Sequence, residues 1–220
     1  MLQLHPDNGK NINVLCIGAH SDDIEIGCGG TLLKLIENYD VKFIKWVIFC
    51  SDRHRESEAR ESADIFLKSV KNKKIIIKNF RDGFLPYSGY EVKEFFEEMK
   101  NDVTPDIIFT HYRKDLHQDH RLICELTWNT FRDHLILEYE IPKFDGDMGV
   151  PNFFVHLDDD IVEKKINTIL HCFKTQSGKH WFEREIFLSI MRIRGMESAS
   201  KTRYAEAFYS HKIVFCERKS

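Results

Sequence analysis

The chain has no long apolar run, no excess of basic residues and no apolar segment near its start. Without an apolar stretch of bilayer-spanning length, we expect no transmembrane segment. A net charge of −3 argues against general nucleic-acid binding, which usually requires a basic excess. The polar residues 1–10 lack the apolar core of a signal peptide. These absences predict a cytoplasmic protein with no nucleic-acid partner.

The six cysteines are scattered and form no Cys-x-x-Cys pair. Most of them stand among Val, Leu, Ile and Phe, a setting typical of reduced cysteines in a hydrophobic core. With 42% hydrophobic residues in 220, the chain can bury a sizeable core without disulfides or a structural metal. We therefore predict free thiols, and a disulfide framework is the less favoured alternative.

Short apolar runs alternate with amphipathic stretches over the first two thirds of the chain, which predicts a parallel sheet with right-handed helical crossovers. After residue 135 the pattern loosens. We predict one α/β domain over residues 1–220, with a core at about 12–135 and a substrate-shaping region at about 136–220. The predicted strands are 13–17, 41–50, 74–80, 106–110, 138–144 and 152–157, and the predicted helices are 31–38, 56–69, 92–99, 161–173 and 182–193.

Two clusters of histidine and aspartate follow predicted strands. Residues 19–23 read Ala-His-Ser-Asp-Asp after the first strand, and residues 115–120 read Asp-Leu-His-Gln-Asp-His after the fourth. Ligands of an open parallel sheet bind outside the carboxyl ends of its strands. We therefore expect the two clusters to face each other at one edge of the sheet.

The paired clusters can supply a catalytic metal site. Such a zinc ion usually has three protein ligands from histidine and carboxylate, with a further position open to water. His20 and Asp23, three residues apart on a turn that opens a helix, can both point at one ion, and His120 is the predicted third ligand. We predict one Zn²⁺ per chain, with other divalent ions as alternatives.

Further acidic and basic groups remain beside these ligands. Asp22 is the predicted general base for a metal-activated water. His117 could stabilise an oxyanion or protonate a leaving amine, and Asp119 could hold its ring in position.

Each motif taken alone has a simpler explanation. Residues 20–23 could be a helix N-cap, and His117 and His120 could be ordinary surface histidines. The glycines in residues 27–31 have neither dinucleotide-loop nor phosphate-loop spacing, so they are predicted to let the backbone pack closely. Cys28 lacks a paired base and is a poor candidate nucleophile. The occurrence of both clusters after buried strands favours the metal site.

Residues 19–31 resemble the Ala-His-Pro-Asp-Asp signature and glycine segment of the PIG-L/LmbE-like deacetylases. Residues 115–120 resemble that family's second motif, and Arg55 and residues 204–208 are further matches, so the likeness spans about residues 12–210. There are departures as well. Ser21 replaces the usual proline, and Asp115 stands where some relatives place a tyrosine.

The resemblance implies a Rossmann-like, mostly parallel α/β sheet with helices on both faces and a C-terminal elaboration. It also implies zinc-dependent hydrolysis of an N-acetyl group, usually on a glucosamine-type sugar within a larger conjugate. The residues carried over are the zinc ligands His20, Asp23 and His120, the general base Asp22, His117 with Asp119 behind it, and the substrate contact Arg55.

The substrate itself is predicted only as a small N-acetylated sugar. Aromatic and basic residues of the C-terminal region, among them Arg192, Arg194 and Arg203, could line a cleft for a phosphate-bearing or nucleotide-linked sugar, or could be core and rim residues. A non-catalytic sugar-binding relative and a metallohydrolase of phosphoesters are the competing functions. The oligomeric state stays open, and a homo-oligomer is compatible with the sequence.

Overall fold

The structure, a computed structural model, describes residues 11–214; the polar start of the chain and Cys216 lie outside the described residues. The described residues form seven strands and six α-helices, which alternate strictly as far as β5. The strands are β1 (Ile12–Gly18), β2 (Val41–Cys50), β3 (Lys73–Phe80), β4 (Ile107–His111), β5 (Leu135–Tyr139), β6 (Phe153–Leu157) and β7 (Tyr204–Tyr209). The helices are α1 (Asp23–Asn38), α2 (Arg53–Phe66), α3 (Gly89–Asp102), α4 (Gln118–Thr130), α5 (Asp159–Cys172) and α6 (Arg184–Glu197). Short 3-10 turns cover Leu85–Ser88 and Lys174–Gln176.

All seven strands belong to one sheet, in the order β3-β2-β1-β4-β5-β7-β6. The first five strands are parallel, and β7 runs antiparallel between β5 and β6. This confirms the predicted mostly parallel, Rossmann-like α/β fold. The strand order reverses beside β1, whose neighbours are β2 and β4. The carboxyl ends of β1 and β4 therefore lie side by side, at the point where such sheets bind ligands.

Helices cover both faces of the sheet. On β2, Trp46 and Ile48 face the core formed with α1, α2, α5 and α6, while Val47 and Phe49 face the core formed with α3 and α4. Burial on both sides explains why residues 46–50 of β2 read as a continuous apolar run rather than an alternating one. Among residues 11–214, no helix combines the length and the apolar character needed to cross a bilayer.

Helix α1 begins at Asp23, well before the predicted start at residue 31. The glycines at residues 27, 29 and 30 lie inside this helix, at positions where larger residues would not fit. A Cβ atom on Gly27 would lie 2.2 Å from the Tyr139 ring, and one on Gly30 would lie 2.6 Å from Leu157. The glycines thus allow α1 to pack directly against the sheet, as the sequence indicates.

A buried ion pair is inserted beside the backbone of α1. The Glu206 carboxylate accepts the Gly30 N–H at 2.8 Å and the Thr31 N–H at 2.6 Å. The Lys165 ammonium donates to Glu206 at 2.6 Å and to the Ile26 carbonyl at 2.7 Å. Strand β7 and helix α5 therefore hold the helix that opens with Asp23.

Two elements were missing from the sequence prediction. Helix α4 was not predicted because its first turn carries the second His/Asp cluster, although Ile123, Cys124 and Thr127 are buried at helical spacing. Strand β7 was recognised only as a motif. The predicted strand at residues 138–144 instead lies at 135–139, and the chain then leaves the sheet through Pro142, which has no N–H to donate.

The described cysteines match the prediction of free thiols. All are buried and none is joined in a disulfide. They are Cys16, Cys28, Cys50, Cys124 and Cys172.

Candidate active site

The first cluster occupies the turn between β1 and α1. The His20 backbone N–H donates to the Asp23 carboxylate at 2.6 Å, which closes the turn. Asp22 holds the N-cap position, but its side chain makes no capping hydrogen bond. The helix-cap explanation of this motif therefore does not account for Asp22.

The second cluster lies at the start of α4. His120 is 2% exposed, so it is no surface histidine. Its Nδ1 lies 2.9 Å from Asp115 Oδ2, and its Nε2 lies 3.0 Å from His20 Nδ1. The ring is thus held from behind, with Nε2 directed at the first cluster.

Three side chains from the two clusters form a compact triangle of donor groups, in which Asp23 faces each histidine with a different carboxylate oxygen. His20 Nδ1 is 3.0 Å from His120 Nε2 and 3.4 Å from Asp23 Oδ2, and His120 Nε2 is 3.6 Å from Asp23 Oδ1. With bonds of roughly 2.0–2.1 Å, tetrahedral zinc places its ligand atoms about 3.3 Å apart. The nitrogen and carboxylate donors present here therefore fit a zinc ion in both type and spacing.

Other potential ligands surround this triangle. Three groups of side chains among the described residues have potential ligand atoms within 4.8 Å of one another. The first is His20, His117 and His120; the second is His20, Asp82, His117 and Asp119; the third is Asp23, His111 and His120. The concentration of carboxylates gives the site a negative charge that favours a cation. Burial opposes the imidazolium of His20, yet Asp23, followed by Asp119 and Asp82, raises the pKa of that ring well above its ordinary value.

Asp22 lies beside the triangle with one oxygen unused. Its Oδ2 is buried and has no hydrogen-bond partner among the described residues. Burial, with the charge of Asp23, raises the pKa of Asp22 to about 6. A carboxylate in this state can accept a proton near neutral pH.

His117 and Asp119 are placed differently from the expectation. The Asp119 carboxylate does not hold the His117 ring; its Oδ2 lies 3.2 Å from His20 Nε2 and accepts the Gly83 N–H at 2.7 Å. The His117 Nδ1 instead accepts the Asp119 backbone N–H at 3.2 Å. This leaves the Nε2 of His117 as the ring nitrogen that could reach a substrate.

Arg55 lies at the border of the site. Its guanidinium donates to Asp82 Oδ2 at 2.7 Å, and Asp82 Oδ1 lies 3.2 Å from His20 Nε2. The other arginines named for substrate binding are elsewhere. Arg192 and Arg203 line an open cleft that includes no residue of the two clusters, and Arg194 is buried in contact with Glu140 and Glu197.

The sequence prediction assigned no role to four polar residues of the site. His111 ends β4, accepts the Ala19 N–H at 2.9 Å and lies 3.2 Å from Asp23 Oδ2. Asp82 follows β3 closely, and His111 is the last residue of β4. Because ligands bind at the carboxyl ends of the strands, both positions could have been assigned to the site from sequence. Asp115 was named as the first residue of the second cluster and as a departure from relatives, but without a role. Lys143 belongs to the segment after β5, where no sequence signal marked it.

Cys28 is excluded as a nucleophile by its surroundings. The thiol is fully buried and donates to the Ile24 carbonyl at 3.3 Å. Burial raises the pKa of this thiol well above its ordinary value, which suppresses the reactive thiolate.

The sequence model of the PIG-L family, described as GlcNAc-PI de-N-acetylase, matches residues 15–131, more than half of the chain. The chain belongs to the PIG-L family. The matched span includes both clusters, Arg55, the second half of β1 and all of β2, β3 and β4. The family membership that the two motifs indicated is confirmed.

Individual relatives agree with this assignment. The uncharacterized deacetylase YaiS of Escherichia coli is 30% identical over 149 residues, which cover 61% of this chain and 76% of that protein. N,N'-diacetylchitobiose deacetylase from Pyrococcus horikoshii is 26% identical with a TM-score of 0.69, over 92% of this chain and 84% of that one. The conserved protein TT1542 from Thermus thermophilus shares the fold, at 20% identity and a TM-score of 0.70 over 95% and 99% of the two chains.

Proposed function

We propose that this protein is a zinc-dependent hydrolase that removes the acetyl group from an N-acetylated amino sugar. The observation that carries the proposal is the triangle of donor groups from His20, Asp23 and His120, with the unbonded carboxylate oxygen of Asp22 beside it. A site that only binds sugar has no need of a buried proton acceptor next to metal ligands. An amide hydrolase needs both.

The residues divide the chemistry among them. His20, Asp23 and His120 would hold zinc, which when bound supplies an acidic water and polarises the acetyl carbonyl. Asp22 takes a proton from the attacking water. The His117 Nε2 stabilises the oxyanion or delivers a proton to the departing nitrogen. The C–N bond then breaks, and acetate and a free amine leave.

Arg55 is the proposed substrate contact at the border of the site. Its side chain is 29% exposed, and its link through Asp82 to His20 keeps the guanidinium beside the metal ligands. An N-acetylated sugar substrate agrees with the names of the family and of the Pyrococcus horikoshii relative. We propose a small N-acetylated sugar or sugar conjugate as the substrate.

Metal analysis and a substrate panel test the proposal together. Purified protein should contain close to one zinc per chain and release acetate from at least one N-acetylated sugar in a panel of free, phosphorylated and nucleotide-linked forms. Removal of the metal by a chelator should abolish the release, and added Zn²⁺ should restore it. A chain that takes up no divalent ion would contradict the proposal.

A phosphatase assay on the same preparation separates the competing metal chemistry. Release of phosphate from sugar phosphates without release of acetate would identify a phosphoester hydrolase. Sugar binding with neither product would identify a non-catalytic relative.

A further inference from the structure

A chain of buried charged groups lies behind His120. Asp115 Oδ2, 2.9 Å from the His120 Nδ1, also accepts from the Lys143 ammonium at 2.9 Å. Lys143 in turn donates to both carboxylate oxygens of Asp147, at 2.7 and 2.6 Å. The Lys143 side chain is 11% exposed, and those of Asp115 and Asp147 are 2% and 7% exposed. Ion pairs as enclosed as these are strongly affected by the loss of one partner.

The same carboxylates hold the backbone that leads to α4. Asp115 Oδ1 accepts the His117 N–H at 2.8 Å, and Asp147 Oδ2 accepts the Leu116 N–H at 2.6 Å. Lys143 joins these two anchor points. The segment after β5 therefore fixes the loop that carries the second cluster, although the two segments are distant in sequence.

The contact between Asp115 and His120 decides how the ring faces the site. An imidazole that donates its Nδ1–H to a carboxylate keeps Nε2 free of a proton and directed away from that carboxylate. Nε2 is the atom that belongs to the donor triangle. If Asp115 were removed, the ring could rotate or place its proton on Nε2.

We propose that Asp115 and Lys143 are positioning residues that hold His120 with its Nε2 directed at the metal. Asp115 bonds the ring, and Lys143 holds Asp115 by bridging it to Asp147. The inference rests on the proposed function, because it assigns a role toward the zinc ion that His120 would bind. It gives a structural purpose to the aspartate that replaces the tyrosine of some relatives.

Metal affinity tests the proposal without requiring the substrate. The variants are Asp115→Ala, Asp115→Asn and Lys143→Met. Lys93→Met is the matched control, since Lys93 donates to the exposed Glu97 on α3 and to Thr130, at the opposite end of α4 from His120. Zn²⁺ affinity is measured by competition with a chromophoric chelator. We expect Asp115→Ala and Lys143→Met to weaken Zn²⁺ binding by about 10–100-fold. Asp115→Asn should lose less affinity, because its amide oxygen can still accept the hydrogen bond from His120 Nδ1. The control should bind Zn²⁺ as the wild type does.

A second readout separates positioning from general stability. The Co²⁺ absorption spectrum reports the ligand geometry and should change in Asp115→Ala and Lys143→Met but not in Lys93→Met. The double variant Lys143→Met/Asp147→Asn removes one charge of each sign. It should therefore fold even if Lys143→Met does not. It should still bind Zn²⁺ more weakly than the wild type.

The possible results distinguish failure of the proposed function from failure of the positioning role. If the wild type binds no Zn²⁺, the proposed function fails and this inference fails with it. If the wild type binds Zn²⁺ and the Asp115 and Lys143 variants bind it equally well, with unchanged Co²⁺ spectra, the inference alone is overturned. A loss of thermal stability in the metal-free variants, with affinity and spectra intact, would likewise reduce the network to a structural role.

Discussion

Asp22 and Asp23 are neighbours in sequence but have different surroundings. Asp23 accepts the His20 N–H and lies against His111 and His120, so its pKa is lowered well below the ordinary value in spite of burial. Asp22 is equally enclosed but has an oxygen without a partner among the described residues. Two adjacent carboxylates thus suit two roles, one as a fixed ligand and one as a proton acceptor.

Replacement of Asp22 by asparagine should separate these roles. We expect Asp22→Asn to keep the zinc content of the wild type and to lose about 10²–10⁴-fold in turnover, because the amide cannot accept the proton of water. Metal analysis and acetate release measure the two effects. Asp133→Asn, at a fully solvated position, is the control and should leave both unchanged. Full activity in Asp22→Asn would remove Asp22 from the mechanism.

The pH dependence of the reaction should report the same carboxylate. Asp22 must be ionised to act as a base, and burial, with the charge of Asp23, raises its pKa to about 6. A bound cation favours the ionised form and lowers this value. The ratio kcat/KM should therefore be constant near neutral pH and fall as the pH drops to about 6 or below. An acidic limb centred well above neutral pH would point to another group.

The described thiols should be inert in the folded protein. Burial raises the pKa of Cys50 to about 12 and that of Cys172 to about 11, so little thiolate exists near neutral pH. In a Cys216→Ser variant, a disulfide reagent should titrate no thiol in native buffer and all five remaining thiols in denaturant. Rapid reaction of one thiol in native buffer would contradict the buried placement.

At the scale of elements, the sequence predicted those whose apolar pattern repeats over a full strand or helix. Strands β1, β2 and β4 stood out because both faces of the sheet are buried there, which produces apolar runs. Strand β3 lies at the edge of the sheet and stood out through the three isoleucines at residues 75–77. Helix α4 did not stand out because its first turn consists of polar residues of the second cluster, which interrupt the apolar pattern of a helix. The start of α1 was hidden by glycines that only the neighbouring Tyr139 and Leu157 explain.

The glycines of α1 can be tested by adding one methyl group. Gly27→Ala should destabilise the fold by about 1–3 kcal/mol, because the new Cβ would meet the fully buried Tyr139 ring at 2.2 Å. Gly89→Ala at the start of α3 is the matched control. Nothing lies within 4 Å of its added Cβ, so stability should stay equal or rise by up to about 1 kcal/mol. Equal urea midpoints for both variants would contradict the close packing.

At the scale of the whole molecule, the site depends on contacts between distant parts of the chain. The two His/Asp clusters could be predicted together, since strand order places the carboxyl ends of β1 and β4 side by side. The roles of Lys143 and Lys165 could not be predicted from the sequence. Each lysine meets its carboxylate partner only after the C-terminal segments have packed. Periodicity reports local burial and carries no information on such pairings.

The buried pair Lys165–Glu206 should show strong coupling in a double-mutant cycle. Lys165→Met or Glu206→Gln alone should lower the free energy of unfolding by about 3–5 kcal/mol. Lys165→Met leaves the buried Glu206 carboxylate without its cation, and Glu206→Gln leaves the Lys165 ammonium and the α1 amides without a charged acceptor. The double variant should cost clearly less than the sum. The exposed pair Lys93–Glu97 is the control, with coupling of about 0.5 kcal/mol or less. Simple additivity at Lys165 and Glu206 would contradict their joint role.

The position of β7 between β5 and β6 imposes an order on the growing polypeptide. Strand β6 is synthesised before β7, its neighbour in the sheet. Residues 30 and 31 of α1 are synthesised earlier still, long before Glu206, whose carboxylate accepts their backbone N–H groups. A nascent chain that stops before residue 204 would carry an unpaired edge and a loosely anchored helix α1. The synthesis of β7, rather than the emergence of the two motifs, is therefore the step after which the sheet and α1 can first assemble completely.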